Sequence, residues 1–150
     1  MKETPEQRSR TMRAVRSVNT GPEMIVRRYL HAAGLRYRLH DRRLPGKPDV
    51  VFPSRRLALF VHGCFWHQHP YCRAATRPAS NTDYWSRKLD GNVARDERRQ
   101  TELEARGWKA LTFWECQTRD PAMLNQLSLL IRNSPVVSGR SSSAASSRQP

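Results

Sequence analysis

Residues 57–72 read LALFVHGCFWHQHPYC. Leu57 to Val61 is continuously apolar, which suits a strand buried on both faces at the centre of a sheet. Cys64, Phe65, Trp66, His67, His69, Tyr71 and Cys72 follow directly. A central strand that ends this way delivers metal-binding, basic and aromatic side chains to one edge of a sheet. The other segments are read by how they would surround it.

Thr20 and Glu23 fit a capping box, Ile25, Val26, Tyr29, Leu30 and Ala33 form an apolar stripe, and Gly34 is a stop, so a helix is predicted here. Leu35 to His40 and Asp49 to Phe52 have strand character, with the turn-rich LPGKPD between them. A long charged helix is predicted from about Asp83 to Arg106, with Leu89, Val93, Gln100 and Leu103 inward and Gly107 ending it. Trp108 to Trp114 reads as a strand. Asp120 and Pro121 open a last helix carrying Met123, Leu124, Leu127, Leu130 and Ile131. This order predicts an α/β fold, a mixed central sheet flanked by helices. Residues 1–19 are expected to be a basic, helix-compatible DNA-binding arm with Met12 and Val15 on one face. Residues 20–133 would form the globular domain, and the Ser-rich 134–150 a disordered tail.

Lys and Arg number 27 against 13 Asp and Glu, a formal net charge of +14 spread from Arg8 to Arg148. Such an excess points to a polyanionic partner, nucleic acid first. No apolar run approaches the ~18 residues needed to span a bilayer, and the opening MKETPEQRSR does not read as a secretory signal. The expectation is a cytoplasmic protein without a membrane partner. Three cysteines in such a chain argue for thiols or metal rather than a disulfide framework.

Cys64 and Cys72 with a histidine between them, and Cys116 beyond a later strand, suit a closed Cys3His zinc site with a structural role. Spacing leaves His67 and His69 both open as the fourth ligand. The bland alternative, buried thiols acting as small hydrophobes, fits poorly among His, Gln and Pro. Asp49, after Pro48 at a strand start, could present a carboxylate to Mg²⁺ as in many nucleases, although most Pro-Asp pairs are merely turns. In that pattern the second strand brings an acid and a lysine. Here those places hold Val61 and Gly63, so a substitute base is needed. His62 and His67 are near in sequence, and each alone could equally be a structural histidine.

Taken together, PDVVF, FVHGCFWHQHPYC, DYW and WEC resemble the very short patch repair endonucleases, the Vsr family, over roughly residues 8–131. The resemblance implies a restriction-endonuclease-like fold. It also implies a Mg²⁺-dependent nick 5′ of the thymine in a T·G mismatch left by deamination of 5-methylcytosine. Carried over position by position, Asp49 matches the metal-binding aspartate, with Val61 serving Mg²⁺ through its backbone carbonyl. His67 matches the catalytic histidine, and His62 and Glu23 the supporting positions. Cys64, His69, Cys72 and Cys116 match the zinc ligands, which decides for His69. Phe65, Trp66 and Trp85 match aromatics that wedge beside the mismatch, and Met12 and Val15 match apolar residues of the arm. Val61 replaces a threonine common in the family. The implied partners are mismatched double-stranded DNA and mismatch-repair proteins, and the protein would act as a monomer.

A T·G pair is weakly stacked, so prying it open costs less than at a perfect pair, and flat side chains can fill the gap. Lys88, Asn92 and Asp96 lie four apart on the long helix and could read bases, as similar residues do in the family. A solvated helical face explains the same spacing equally well. Arg87, Arg95, Arg98 and Arg99 would then hold phosphates. Glu23 could instead simply complete the capping box. Two further readings remain: a zinc-stabilised module that binds distorted DNA without cutting, motivated by Val61, and an endonuclease that cuts both strands.

Overall fold

The structure, a computed structural model, describes residues 18–137. The arm residues Met12 and Val15 and the Ser-rich stretch from residue 138 lie outside the described residues. Three helices, α1 (Gly21–Ala32), α2 (Thr82–Ala105) and α3 (Pro121–Asn133), flank four strands, β1 (Arg38–Leu39), β2 (Val50–Phe52), β3 (Leu57–His62) and β4 (Lys109–Trp114). The sheet runs β1-β2-β3-β4. The first two pairings are antiparallel, and β3 with β4 is parallel. The sheet is thus mixed, and β3 is internal, as its apolar run requires.

Alternation along the strands divides the protein into layers. Val50, Phe52, Leu57, Leu59 and Phe113 point to one face, where Val26 and Leu30 of α1 and Leu124, Leu127 and Ile131 of α3 complete the main core. On the opposite face α2 lies over Phe60, His62, Ala110 and Thr112, bringing Asp96 and Arg99 beside them. The site is built on this second, less apolar face, at the end of β3.

Local signals set most element ends. The Thr20 hydroxyl accepts the Glu23 N–H at 3.2 Å, and Asp120 caps α3 with Pro at its start. Gly107, at φ 85°, stops α2 in the left-handed region. Several sequence expectations change. The first strand shrinks from Leu35–His40 to two exposed residues, because its neighbour on one side is only the short β2. Ile25 and Leu130 are exposed on the outer edges of their helices, and Gln100 faces solvent rather than inward. The first residues of the expected tail are held in place. The Ser134 hydroxyl donates to the Leu130 carbonyl at 2.9 Å, Arg55 donates to the Ser134 carbonyl at 2.5 Å, and the Val137 N–H donates to the Ser54 carbonyl at 2.6 Å.

Leu59 is fully buried midway along β3 between the two helices of the main core. Leu59→Ala should cost about 2–5 kcal/mol of stability through lost burial and the cavity left behind, measured by urea unfolding. A loss well under 1 kcal/mol would mean that this face is not the packed core.

Candidate active site and metal centre

The in-step parallel pairing sets His62 beside Trp114. Two residues beyond each lie Cys64 and Cys116, so equal offsets bring the two thiols together. The Cys116 N–H donates to the Cys64 sulfur at 3.4 Å. The chain then doubles back: the His69 N–H donates to the Cys64 carbonyl at 2.9 Å, with Gln68 and Tyr71 at positive φ, 50° and 60°. The Gln68 amide secures this turn by donating to the carbonyls of Phe65 at 2.8 Å and Ala75 at 3.1 Å. His69 Nδ1 ends 3.6 Å from the Cys64 sulfur and 3.5 Å from that of Cys116, and its ring stacks on Trp114 at 4.2 Å. The donor atoms of Cys64, His69, Cys72 and Cys116 all lie within 4.8 Å of one another. Tetrahedral zinc bonds of ~2.3 Å to sulfur and ~2.0–2.1 Å to nitrogen imply S···N edges of about 3.5 Å, so this donor set fits. Burial, joined by the adjacent thiols, pushes the Cys64 thiol up to about 12. A cation would relieve that penalty.

On the inner side of this knot lies a cleft of about 850 Å³. Asp49, Val61, His62, His67, Trp66 and Asp96 line its floor. His67 Nδ1 is 2.7 Å from Asp96 Oδ2, an arrangement that places the proton on Nδ1 and leaves Nε2 free to accept one. The rings of His62 and His67 stack nearly parallel at 3.7 Å. Burial, then the neighbouring His67 charge, pull the His62 imidazole down to about 4. The Val61 N–H donates to Asp49 Oδ2 at 2.7 Å, fixing the carboxylate with its other oxygen free. Burial is the main cause that lifts the Asp49 carboxyl to about 6, and the Glu23 charge adds to it.

Glu23 is 1% exposed, and its carboxylate does not close the capping box on Thr20. It accepts the Asn19 N–H at 2.9 Å, lies 2.7 Å from His40 Nε2 and meets Arg27 at 3.4 Å. Glu23, His40 and Asp49 form a second group of donors within 4.8 Å, and oxygen donors of this kind suit a hard divalent cation.

Among the proposed DNA contacts, Phe65, Trp66 and Trp85 pack edge-on or tilted against one another at 5.1–6.0 Å. Phe65 and Trp66 are partly exposed, but Trp85 is buried beneath them with its indole N–H unpartnered. The three proposed base readers divide as well. Asp96 is turned to His67, the Asn92 amide donates to the Trp66 carbonyl at 2.9 Å, and only Lys88 of the three has a head group without a hydrogen-bond partner. Sequence reasoning missed Asp96 as the orienter of His67. It also missed His40 as the partner of Glu23, and Glu115, whose carboxylate accepts the Cys64 N–H at 3.3 Å. These pairs are separated by 29, 17 and 51 residues, so no spacing pattern marks them.

The two shifted groups act oppositely on stability. Between about 4 and 6 the folded protein holds a proton on Asp49 that the unfolded chain has released, so this contribution falls as pH rises. His62, depressed from 6.5 to about 4, contributes stability that grows as pH rises through nearly the same window. In protein freed of divalent cations, Asp49→Asn should therefore gain stability relative to the parent from pH 4 to 6. Urea unfolding over that range reads the difference, and parallel profiles would refute it.

The model of the family described as DNA mismatch endonuclease Vsr matches residues 2–73. The chain is 52% identical over 130 residues to the type II nicking enzyme V.XorIIP of Xanthomonas oryzae pv. oryzae, covering 87% of this chain and 93% of that protein. It is 41% identical over 130 residues to the type II nicking enzyme V.NmeAIP of Neisseria meningitidis, covering 86% and 92%. It is 38% identical over 137 residues to the DNA mismatch endonuclease Vsr of Escherichia coli, covering 91% and 87%. With relatives this similar along nearly its whole length, and with the histidine–carboxylate cleft on the page, the chain belongs to the Vsr family of DNA mismatch endonucleases.

Proposed function

We propose that this protein binds duplex DNA at a T·G mismatch within a short recognition sequence and nicks the strand 5′ of the thymine, so starting very short patch repair. The observation that carries the reading is the convergence of Asp49, His62 and the Asp96-held His67 on one cleft floor beside exposed aromatic side chains. His67 Nε2 takes the proton of the attacking water, Asp96 holds the ring for that transfer, and the neutral His62 backs it. Asp49 and the Val61 carbonyl would hold Mg²⁺, which supplies Lewis-acid activation of the phosphodiester. Cys64, His69, Cys72 and Cys116 would hold zinc and fix the loop that carries Phe65, Trp66 and His67. The aromatics would open the stack beside the weakly paired mismatch, each base stack returning ~1–3 kcal/mol. The unpartnered Trp85 indole N–H supports this, because an orphaned buried donor lowers the cost of rearranging the cluster around DNA. Met12 and Val15 in the basic arm would add apolar contacts to the groove, with the protein acting as a monomer.

The alternative of a binding module without catalysis rested on Val61. The contact made by Val61 to Asp49 uses its backbone N–H, which any residue but proline supplies, so valine is no mark of lost activity.

Purified protein should nick a T·G duplex with Mg²⁺ and leave the matched duplex intact. Asp49→Ala should still bind the mismatch, measured by fluorescence anisotropy, while losing nicking by at least about a hundredfold. Full cutting by that variant would remove Asp49 from the chemistry. Because a cation must displace the proton held on Asp49, the Mg²⁺ concentration for half-maximal nicking should rise as pH falls through 6 and level off above it. A pH-independent requirement would contradict the role of Asp49 as a ligand. Metal analysis should return about one zinc per chain, and Cys116→Ser or strong chelation should lower the unfolding temperature. A folded, active and zinc-free preparation would reject the zinc site.

A further inference from the structure

Nucleases with an acid at a strand start usually take a lysine from the next strand, and β3 offers none. The structure carries two cations to the same end of the cleft by another route. Arg99, on the face of α2 that covers the sheet, lies against the turn between β1 and β2. A Cβ built on Gly46, at φ 80°, would fall 2.9 Å from Arg99 Cδ and 3.1 Å from a Phe60 ring carbon. Only glycine lets the arginine stem lie in this slot between turn and strand. The next residue, Lys47, sits in the left-handed region at φ 49°, lines the same cleft and stands two residues before Asp49. Neither head group has a hydrogen-bond or ion-pair partner among the described residues. The cleft acids are engaged elsewhere: Asp96 with His67, Asp49 with the Val61 N–H and Glu115 with the Cys64 N–H. The charge of Arg99 is felt at His62, the neighbour of His67.

We propose that Arg99 and Lys47 together hold one backbone phosphodiester of the DNA at the Asp49–His67 end of the cleft, supplying from a helix and a turn the positive charge that β3 lacks. The proposal rests on the endonuclease reading above. A guanidinium offers paired N–H donors to non-bridging phosphate oxygens, and an ammonium adds a point charge. With both stems entering from the turn side, the phosphate is drawn toward the free oxygen of Asp49.

The test uses the full-length protein and a T·G duplex. Without Mg²⁺, Arg99→Gln and Lys47→Gln should each reduce the slope of log binding constant against log salt by about 0.9. With Mg²⁺, single-turnover nicking at saturating protein should fall by roughly tenfold or more. Arg99→Lys should restore the slope but only part of the rate, a pattern that a merely structural arginine would not give. Replacing single phosphates by uncharged methylphosphonates should reveal one position, next to or at the nick, where the parent loses affinity and the double variant does not. Unchanged slopes with parental nicking rates, or no such position, overturn the proposal while leaving the endonuclease reading intact. A parent protein with the expected salt slope that nicks no duplex overturns the endonuclease reading and leaves the phosphate site standing.

Discussion

The site depends on one constraint, the register of the parallel pair β3 and β4. His62 opposite Trp114 means that the two chains leave the sheet in step, so residues two positions on meet each other. Cys64 and Cys116 meet for this reason, though 52 residues apart. Side chains alternate with period two, so a slip of one residue would send one thiol to the wrong face and separate the pair. The same register puts Glu115 under the Cys64 N–H and Trp114 under the His69 ring. The knot and the cleft are therefore one construction. Cys64 closes the first, and His62 and His67, two residues before it and three after, face the second.

Inside the cleft, desolvation and hydrogen bonding assign the charges. Two imidazoles stacked at 3.7 Å cannot both be protonated cheaply, and burial settles neutrality on His62. His67 is tied to a carboxylate, which makes an imidazolium formed there less costly. Asp49 is buried and close to Glu23, so its ionised form is costly until a cation arrives. Each group thus sits in the environment its proposed task requires: a spectator that stays neutral, a base that can charge, and a ligand that waits for metal.

Much of this was legible in the sequence where signals are local. The apolar run of β3, the Thr20 and Asp120 caps and the stop at Gly107 all depend on neighbours within a few residues. The zinc donors were legible because few residue types can serve and the chain has only three cysteines. What failed was of two kinds. Ile25, Gln100 and Leu130 lie at the margins of helical faces, where a small rotation decides between core and water. Asp96 and His40 acquire their roles from partners in other elements. In the sequence Asp96 belonged to a plausible base-reading face, and only the crossing of α2 over the end of β3 turns it toward His67.

The charge excess also finds a division of labour. With cations outnumbering acids about two to one, arginines cannot all be neutralised by carboxylates, and several use backbone carbonyls instead. Arg55 donates to the Arg132 carbonyl at 3.0 Å, Arg132 to that of Ala33 at 2.5 Å, and Arg106 to that of Arg43 at 3.5 Å. These guanidiniums tie α3 to the β2–β3 connection, α3 to the end of α1, and the end of α2 to the β1–β2 turn. They hold the domain together without consuming acids, and the cleft acids remain for histidine and backbone N–H groups. The cations left over, Arg42, Lys47, Lys88 and Arg99, line the cleft itself. A molecule that spent its acids on surface ion pairs would lose this separation. Here the acidic groups face the reacting centre and the unpaired positive charge faces the place where a phosphate chain would lie.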